Sequence, residues 1–331
     1  MLRQNLNTVY MCDKVGVFGD ENLPDPRMVG MMIGDGTYGK DKTPRFFNCD
    51  DILKDYVKSR YNTKCERSHI TKDGKLYEEN YVLGYSSVLR QIGIYGQTKT
   101  AKRLPDNYLR LNEESAALML AGIYDTDGYI DGKRRIVLTQ SSREILEQIQ
   151  LLLRKFGIWG NVRYHKPCIK PGRKDKNGYY DLDISDKQSV LNFYQSIPLL
   201  LDYKKKALEN MVSPYKDKLL SEYNGMRTAI VQSVEKIGKQ RIYNLTANDS
   251  HTYLANDFIT HNTGGDSGPN LAGLAEIFSD PEAFNVLPYK NNYTADGKYQ
   301  FTGFFIPAYA FMLSSEFTDS RGVTNRAKAR A

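Results

Sequence analysis

The chain has 331 residues, 40% of them hydrophobic and 26% charged, with a formal net charge of +7. That is material for two or three domains with their own cores, and it excludes a low-complexity or disordered chain. The modest basic excess is compatible with a polyanionic partner without requiring one. Cys12, Cys49, Cys65 and Cys168 stand far apart, with no Cys-x-x-Cys pair and no zinc spacing. This argues against a disulfide scaffold and fits a reducing cytoplasm. The first residues lack a signal-peptide pattern, and the apolar run Phe301–Leu313 is short and interrupted by Pro307. No membrane partner is therefore expected.

Residues 25–36 read as a helix entered through Pro24-Asp25-Pro26 and stopped by Gly34 and Gly36. Further helices are expected over Asp51–Tyr61 and Tyr81–Ile92, with strands at Arg45–Asn48, Glu66–Ile70 and Leu76–Glu79. The same order then repeats. A helix at Glu113–Thr126 precedes a strand at Arg134–Thr139, an amphipathic helix at Ser142–Phe156, strands at Asn161–Tyr164 and Tyr179–Ile184, and a helix near Lys187–Gln195. The period is too long for a solenoid, so two pseudo-symmetric halves are expected. Ile-Gly-Ile-Tyr-Gly at 92–96 and Phe-Gly-Ile-Trp-Gly at 156–160 repeat in the same sense. Residues 230–259 form a third, β-rich region, and the composition shifts again after Asn262.

The two special helices end alike, in Met28-Val-Gly-Met-Met-Ile-Gly-Asp35-Gly36 and Leu120-Ala-Gly-Ile-Tyr-Asp-Thr-Asp127-Gly128. Small residues on one face of each would let the helices pack closely, bringing Asp35 and Asp127 together at their C-terminal ends. Neither a shared desolvated site nor the negative end of a helix dipole favours two carboxylates. A divalent cation between them resolves the conflict, and hard oxygen ligands suit Mg²⁺. For the first helix alone, an ordinary Asp-Gly turn is the better reading; the second helix is harder to dismiss in that way, and the repetition 92 residues apart argues against it for both.

These helices resemble the paired motifs of LAGLIDADG homing endonucleases, the second motif more closely than the first. The resemblance implies an α+β fold of two pseudo-symmetric αββαββα halves, placed at residues 1–110 and 111–215. It implies double-stranded DNA as partner, strands forming a saddle along it, and two acids holding metal for attack of water on phosphodiesters. It also implies a lysine near each acid. Gly96–Pro105 offers Lys102, and Tyr203–Leu208 offers Lys205. Arg163–Lys176 holds seven basic residues if His165 is counted, and on such a saddle would face phosphates.

Arg241–Asn262 followed by Thr263 carries a different chemistry. Tyr243–Thr246 and Leu254–Ile259 read as short β segments with His251 between them, and His261-Asn262 stands directly before a hydroxyl. An Asn amide can attack its own carbonyl and cleave the chain, with a neighbouring His protonating the departing amine. This run resembles the C-terminal splicing region of an intein, the β-rich C-terminal part of a Hint fold, placed at 225–262. The resemblance makes Asn262 the cyclising residue, His261 and His251 its assistants, and Thr263 the downstream acyl acceptor. The family more often has Asp where Asn244 stands. An N-terminal Cys or Ser and a Thr-x-x-His segment are not seen, so an N-terminal intein half on a separate chain, or a truncated frame, is expected. The flank 263–331 resembles part of a phage terminase large subunit and contains no Walker A pattern. The implied setting is the cytoplasm of a phage-infected or other microbial cell. Two rival readings are a catalytically inactive DNA- or RNA-binding remnant and a terminase component with an inserted domain left in place.

Overall fold

The computed structural model describes residues 8–170, 173–175, 178–217, 226–230, 252–255 and 258–261. They fall into two compact units, Asp13–Asn224 and the residues outside it.

The larger unit is built twice on one plan. In its first half, helix α1 (Pro26–Asp35) leads into strands β2 (Gly36–Thr37) and β3 (Arg45–Asn48), helix α2 (Asp51–Arg60), strands β4 (Thr63–Ile70) and β5 (Leu76–Val82), and helix α3 (Tyr85–Gln91). The second half repeats it with α4 (Glu113–Thr126), β6 (Gly128–Ile130), β7 (Ile136–Gln140), α5 (Arg143–Lys155), β8 (Asn161–His165), β11 (Tyr179–Ile184), α6 (Lys187–Ser196) and α7 (Asp202–Val212). Each half carries a four-stranded antiparallel sheet, ordered β2-β3-β5-β4 and β6-β7-β11-β8. The spatial order of strands is thus the same in both, and the expected α+β duplication is the observed one. A short hairpin, β9 (Cys168–Lys170) with β10 (Arg173–Asp175), occupies the basic stretch between β8 and β11.

Three details differ from the sequence reading. The helix expected over Tyr81–Ile92 starts only at Tyr85, because β5 runs on to Val82 and Gly84, at φ +78, turns the chain. Helix α1 stops at its C-cap Gly36, one of the two expected stops, but runs through the other, Gly34. Helix α7, where Tyr203–Leu208 had been read only as a basic segment, was not anticipated.

Helices α1 and α4 are buried along most of their length and cross with their backbones touching. A Cβ on Gly30 would sit 2.0 Å from the Met119 carbonyl oxygen, and one on Gly122 would sit 2.2 Å from that of Arg27. Close approach, not backbone conformation, demands glycine at both. Asp25 caps α1 by accepting from Met28 N, and Asn112 caps α4 by accepting from Ser115 N. The halves are also tied by a buried ion pair. Arg27 Nη1 donates to Asp125 at 3.0 Å, and its Nη2 to the Pro198 carbonyl. Around this seam one continuous apolar core, from Leu23 to Val212, serves both halves.

In the other unit, β1 (Thr8–Cys12) lies between β12 (Met226–Ile230) and β14 (Phe258–His261), with β13 (Thr252–Ala255) outside β14. Residues 8–12 therefore belong to this sheet and not to the first half, where residues 1–110 had been placed. The pairing Met11↔Phe258 spans the whole larger unit in sequence, so no local pattern could announce it. The single β segment expected at Leu254–Ile259 is instead an antiparallel pair, Thr252↔His261 through Ala255↔Phe258. Among the described residues no helix is long and apolar enough to cross a membrane.

Candidate functional site

Both acids stand where α1 and α4 end. Asp35 is the last residue of α1, and Asp127 is the C-cap of α4, its N–H returning to Ile123 and Tyr124 carbonyls. The crossing brings the ends together: a Cβ on Gly34 would meet Thr126 Oγ1 at 2.0 Å and Asp127 Oδ2 at 3.4 Å. Gly36 and Gly128 follow the acids because each passes tight against the preceding helical turn, at the carbonyls of Met32 and Tyr124. Gly36 is extended, at φ −98, so the expected Asp-Gly turn is not its reason.

Each acid is held from the second strand of its own half. Asn48 Nδ2 donates to Asp35 Oδ2 at 2.7 Å, and Gln140 Nε2 donates to Asp127 Oδ2 at 2.5 Å. Acid and amide are 13 residues apart in both halves. Among the described residues no protein donor reaches Oδ1 of either acid. Asn48 and Gln140 were not anticipated; the equal spacing from the two acids was the available signal.

A lysine closes each helix end. Lys102 Nζ donates to the carbonyls of Ile33 at 2.6 Å and Gly34 at 2.8 Å. In the second half the matching residue is Lys204, whose Nζ donates to the carbonyls of Tyr124, Asp125 and Gly128 at 2.7–2.8 Å. This corrects the expectation of Lys205, whose side chain is half exposed and pairs with Asp202 one turn back. The helical turn of α7 points Lys204 inward and Lys205 outward. Three consecutive lysines at 204–206 hid the choice.

The electrostatics agree with this geometry. Burial, and then the Asp127 charge, push Asp35 up to about 7, against the lowering effects of Asn48, Lys102 and Lys204. Burial raises Asp127 as well, opposed chiefly by Lys102 and Gln140. Burial lowers Lys102 to about 8, the two acids opposing it, and lowers Lys204 also. Two desolvated carboxylates with open Oδ1 atoms form a hard-oxygen donor set, and the raised Asp35 shows a charge that its protein partners do not fully compensate. Such a set fits Mg²⁺, which takes one or two carboxylates and completes its shell with water and phosphate oxygens. Among the described residues no cluster of three or more His, Cys, Asp or Glu side chains competes for it.

The acids open onto a cavity of about 760 Å³, lined by Lys42, Phe47, Gln97, Lys99 and Lys102 from the first half and by Thr139, Ser141 and Tyr179 from the second. Beyond it, each sheet presents a face of basic side chains braced by carboxylates. Arg45 lies between Glu66 and Glu79, Arg135 and Arg163 flank Asp183, and His165 contacts Asp181 at 2.8 Å while stacking on Tyr179. The side chains of the 168–177 basic stretch lie outside the described residues. So do His251, Asn262, Thr263, the Tyr243–Thr246 segment and the 263–331 flank. For His261 the description stops at its place at the end of β14.

Residues 114–198 match a model of the LAGLIDADG-like domain. This stretch runs from the first turn of α4 to just past α6, so it holds Asp127 and Gln140. Several curated proteins are similar over longer stretches. The ribonucleoside-diphosphate reductase NrdEB subunit alpha of Bacillus subtilis is 25% identical over 286 residues, which cover 75% of this chain and 26% of that protein. The ATP-dependent DNA helicase Hel308 of Methanocaldococcus jannaschii is 33% identical over 211 residues, 57% of this chain and 16% of the helicase. Protein RecA of Mycobacterium tuberculosis is 28% identical over 207 residues, 55% of this chain and 26% of RecA. The chain thus spans about a quarter or less of the length of these relatives.

Proposed function

We propose that the larger unit is a site-specific DNA endonuclease of the LAGLIDADG homing type that makes Mg²⁺-dependent double-strand cuts. The observation that carries this reading is the twofold constellation at the helix crossing: Asp35 with Asn48 and Lys102, Asp127 with Gln140 and Lys204. Two carboxylates with open oxygens can hold the metal ions that polarise a phosphate and a water. The water oxygen would then bond to phosphorus while giving up a proton, one ester P–O bond would break, and the departing alkoxide would take up a proton. Asn48 and Gln140 fix the carboxylate orientations. Lys102 and Lys204 offset the negative helix ends and keep positive charge beside the acids. The braced basic side chains on the two sheets supply contacts to the DNA backbone and bases.

The smaller unit we read as the C-terminal part of a protein-splicing fold. Asn262 cyclises, His261 and His251 assist, and Thr263 accepts the acyl group. The 263–331 flank is then the start of the downstream host segment, of terminase-like character. Two observations support this. Strand β1 precedes the nuclease unit in sequence and pairs with strands that follow it, the topology of one domain inserted into another. The relatives, a reductase subunit, a helicase and RecA, differ in activity and match over only a fraction of their length, as a mobile segment lodged in different hosts would.

Two experiments test the two parts. Purified chain and a Mg²⁺ salt, incubated with a randomised duplex pool, should enrich one cut sequence, and EDTA should stop the cutting. Salt-sensitive binding without any cutting would favour an inactive DNA-binding remnant. Intact mass should show a fragment beginning at Thr263 that Asn262→Ala abolishes. If both forms stay whole, including after an N-terminal intein half is added in trans, the splicing part of the reading fails.

A further inference from the structure

The two halves line the shared cavity differently. Before Lys102 the chain is pinned against the first half. Gly96 N donates to the Tyr38 carbonyl at 2.8 Å, and Gly39 and Gly96 pair as an isolated bridge. Gly96 has φ +89, a conformation that favours glycine. The next residues, Gln97, Thr98 and Lys99, line the cavity, as does Lys42. Gln97 Oε1 accepts from Arg103 N at 3.0 Å, which fixes the amide, while its buried Nε2 has no hydrogen-bond partner. A buried amide donor without an acceptor, on a side chain that borders a cavity, is an uncommon feature. The Lys99 charge reaches the centre, acting on both Lys102 and Asp127.

Counted back from Lys204 as Gln97 and Lys99 are from Lys102, the second half has Leu199 and Leu201, both buried. The backbone N–H groups of Leu200 and Leu201 are given to Asp125. At these positions the second half therefore offers the cavity neither a cation nor a free donor.

We propose that Gln97, Lys99 and Lys42 form a phosphate-holding subsite on the first-half side of the cavity, which takes the backbone of one DNA strand and causes that strand to be cut first. The inference rests on the nuclease reading and deepens it. An amide N–H and two ammonium groups suit the non-bridging oxygens of a phosphodiester. They act most strongly when charge builds on those oxygens in the transition state. The other strand meets leucine-backed structure at the matching place and is cut from a nicked duplex.

The test uses the full chain, Mg²⁺, and a duplex enriched from the randomised pool, labelled in turn at the 5′ end of each strand. The unaltered protein should cut one strand at least about 10-fold faster, with a nicked intermediate. Gln97→Leu with Lys99→Leu, which copies the second half, should slow that strand by about 10- to 100-fold. The other strand should stay within about twofold. The slope of log affinity against log salt should shrink by about 0.9, because one phosphate is no longer neutralised by Lys99. Lys99→Arg alone should keep that slope. Equal cutting of both strands by the unaltered protein, or equal slowing of both by the double variant, overturns the proposal. If the unaltered protein binds duplex yet cuts neither strand, the nuclease reading fails, and an unchanged salt slope in the double variant then removes the phosphate subsite as well.

Discussion

The two halves of the larger unit share a plan and differ in how they finish the site. Each sets an acid at a helix end, an amide 13 residues later, and a lysine against the helix carbonyls. In the first half the lysine follows a single turn at Lys99–Ala101 and touches two carbonyls; in the second it sits in the first turn of α7 and touches three. The lesson is that the fold keeps the placement of charge at the helix ends, while the segment delivering it is free to vary. The flexible choice of delivery is what leaves Gln97 and Lys99 on one side and leucines on the other.

The sharpest way to break the comparison is at the seam. Gly122→Val would drive a side chain into the Arg27 carbonyl, and Gly30→Val into that of Met119. Each should cost about 3 kcal/mol, the upper part of the overpacking range, read as a lowered denaturant midpoint. Next comes the amide pair. Asn48→Ala and Gln140→Ala should each slow cutting by about 10- to 100-fold with duplex affinity little changed, since both orient an acid without replacing it. A large effect for one and none for the other would show that the halves are not equivalent at this level.

The lysines sharpen the comparison further. Lys204→Met leaves three buried carbonyls without their donor and should cost about 2 kcal/mol of stability. Lys205→Ala should change stability by less than about 0.5 kcal/mol, because its ion pair with Asp202 is exposed. Equal effects would return the role to Lys205.

The comparison also predicts a pH dependence of metal-free stability. Asp35 is held at about 7, above its unfolded value of 3.8, so the folded state binds the proton more tightly. Its contribution is fully present below the unfolded value and is lost as pH rises through the folded one. In EDTA, stability should therefore fall by on the order of 3 to 4 kcal/mol between about pH 4 and pH 7. Mg²⁺ should flatten the fall, and Asp35→Asn should remove the Asp35 part of it.

Much of this site was legible because some signals are local. The small-residue helix ending in Asp-Gly occurs twice, and a repeated pattern fixed both Asp35 and Asp127. Lys102 stood out as the lysine before Leu104-Pro105, whereas Lys204 was one of three adjacent lysines and only the phase of α7 separates them. Asn48 and Gln140 are single polar residues ending strands, and nothing in their neighbours marks them. The place of β1 in the other sheet was invisible because its partners lie beyond the whole larger unit. The sequence also placed Gly34 as a stop signal, when its reason is the Thr126 hydroxyl packed against it inside the seam.

The central claim is that Asp35 and Asp127 form one metal-dependent centre shared by both halves. The direct measurement is Mg²⁺-dependent cutting of an enriched duplex by Asp35→Asn and by Asp127→Asn, beside duplex binding in EDTA. Each substitution alone should slow cutting by more than about 100-fold, beyond what the amide partners reach, while binding is kept. Undiminished cutting of both strands after loss of either acid would contradict the account.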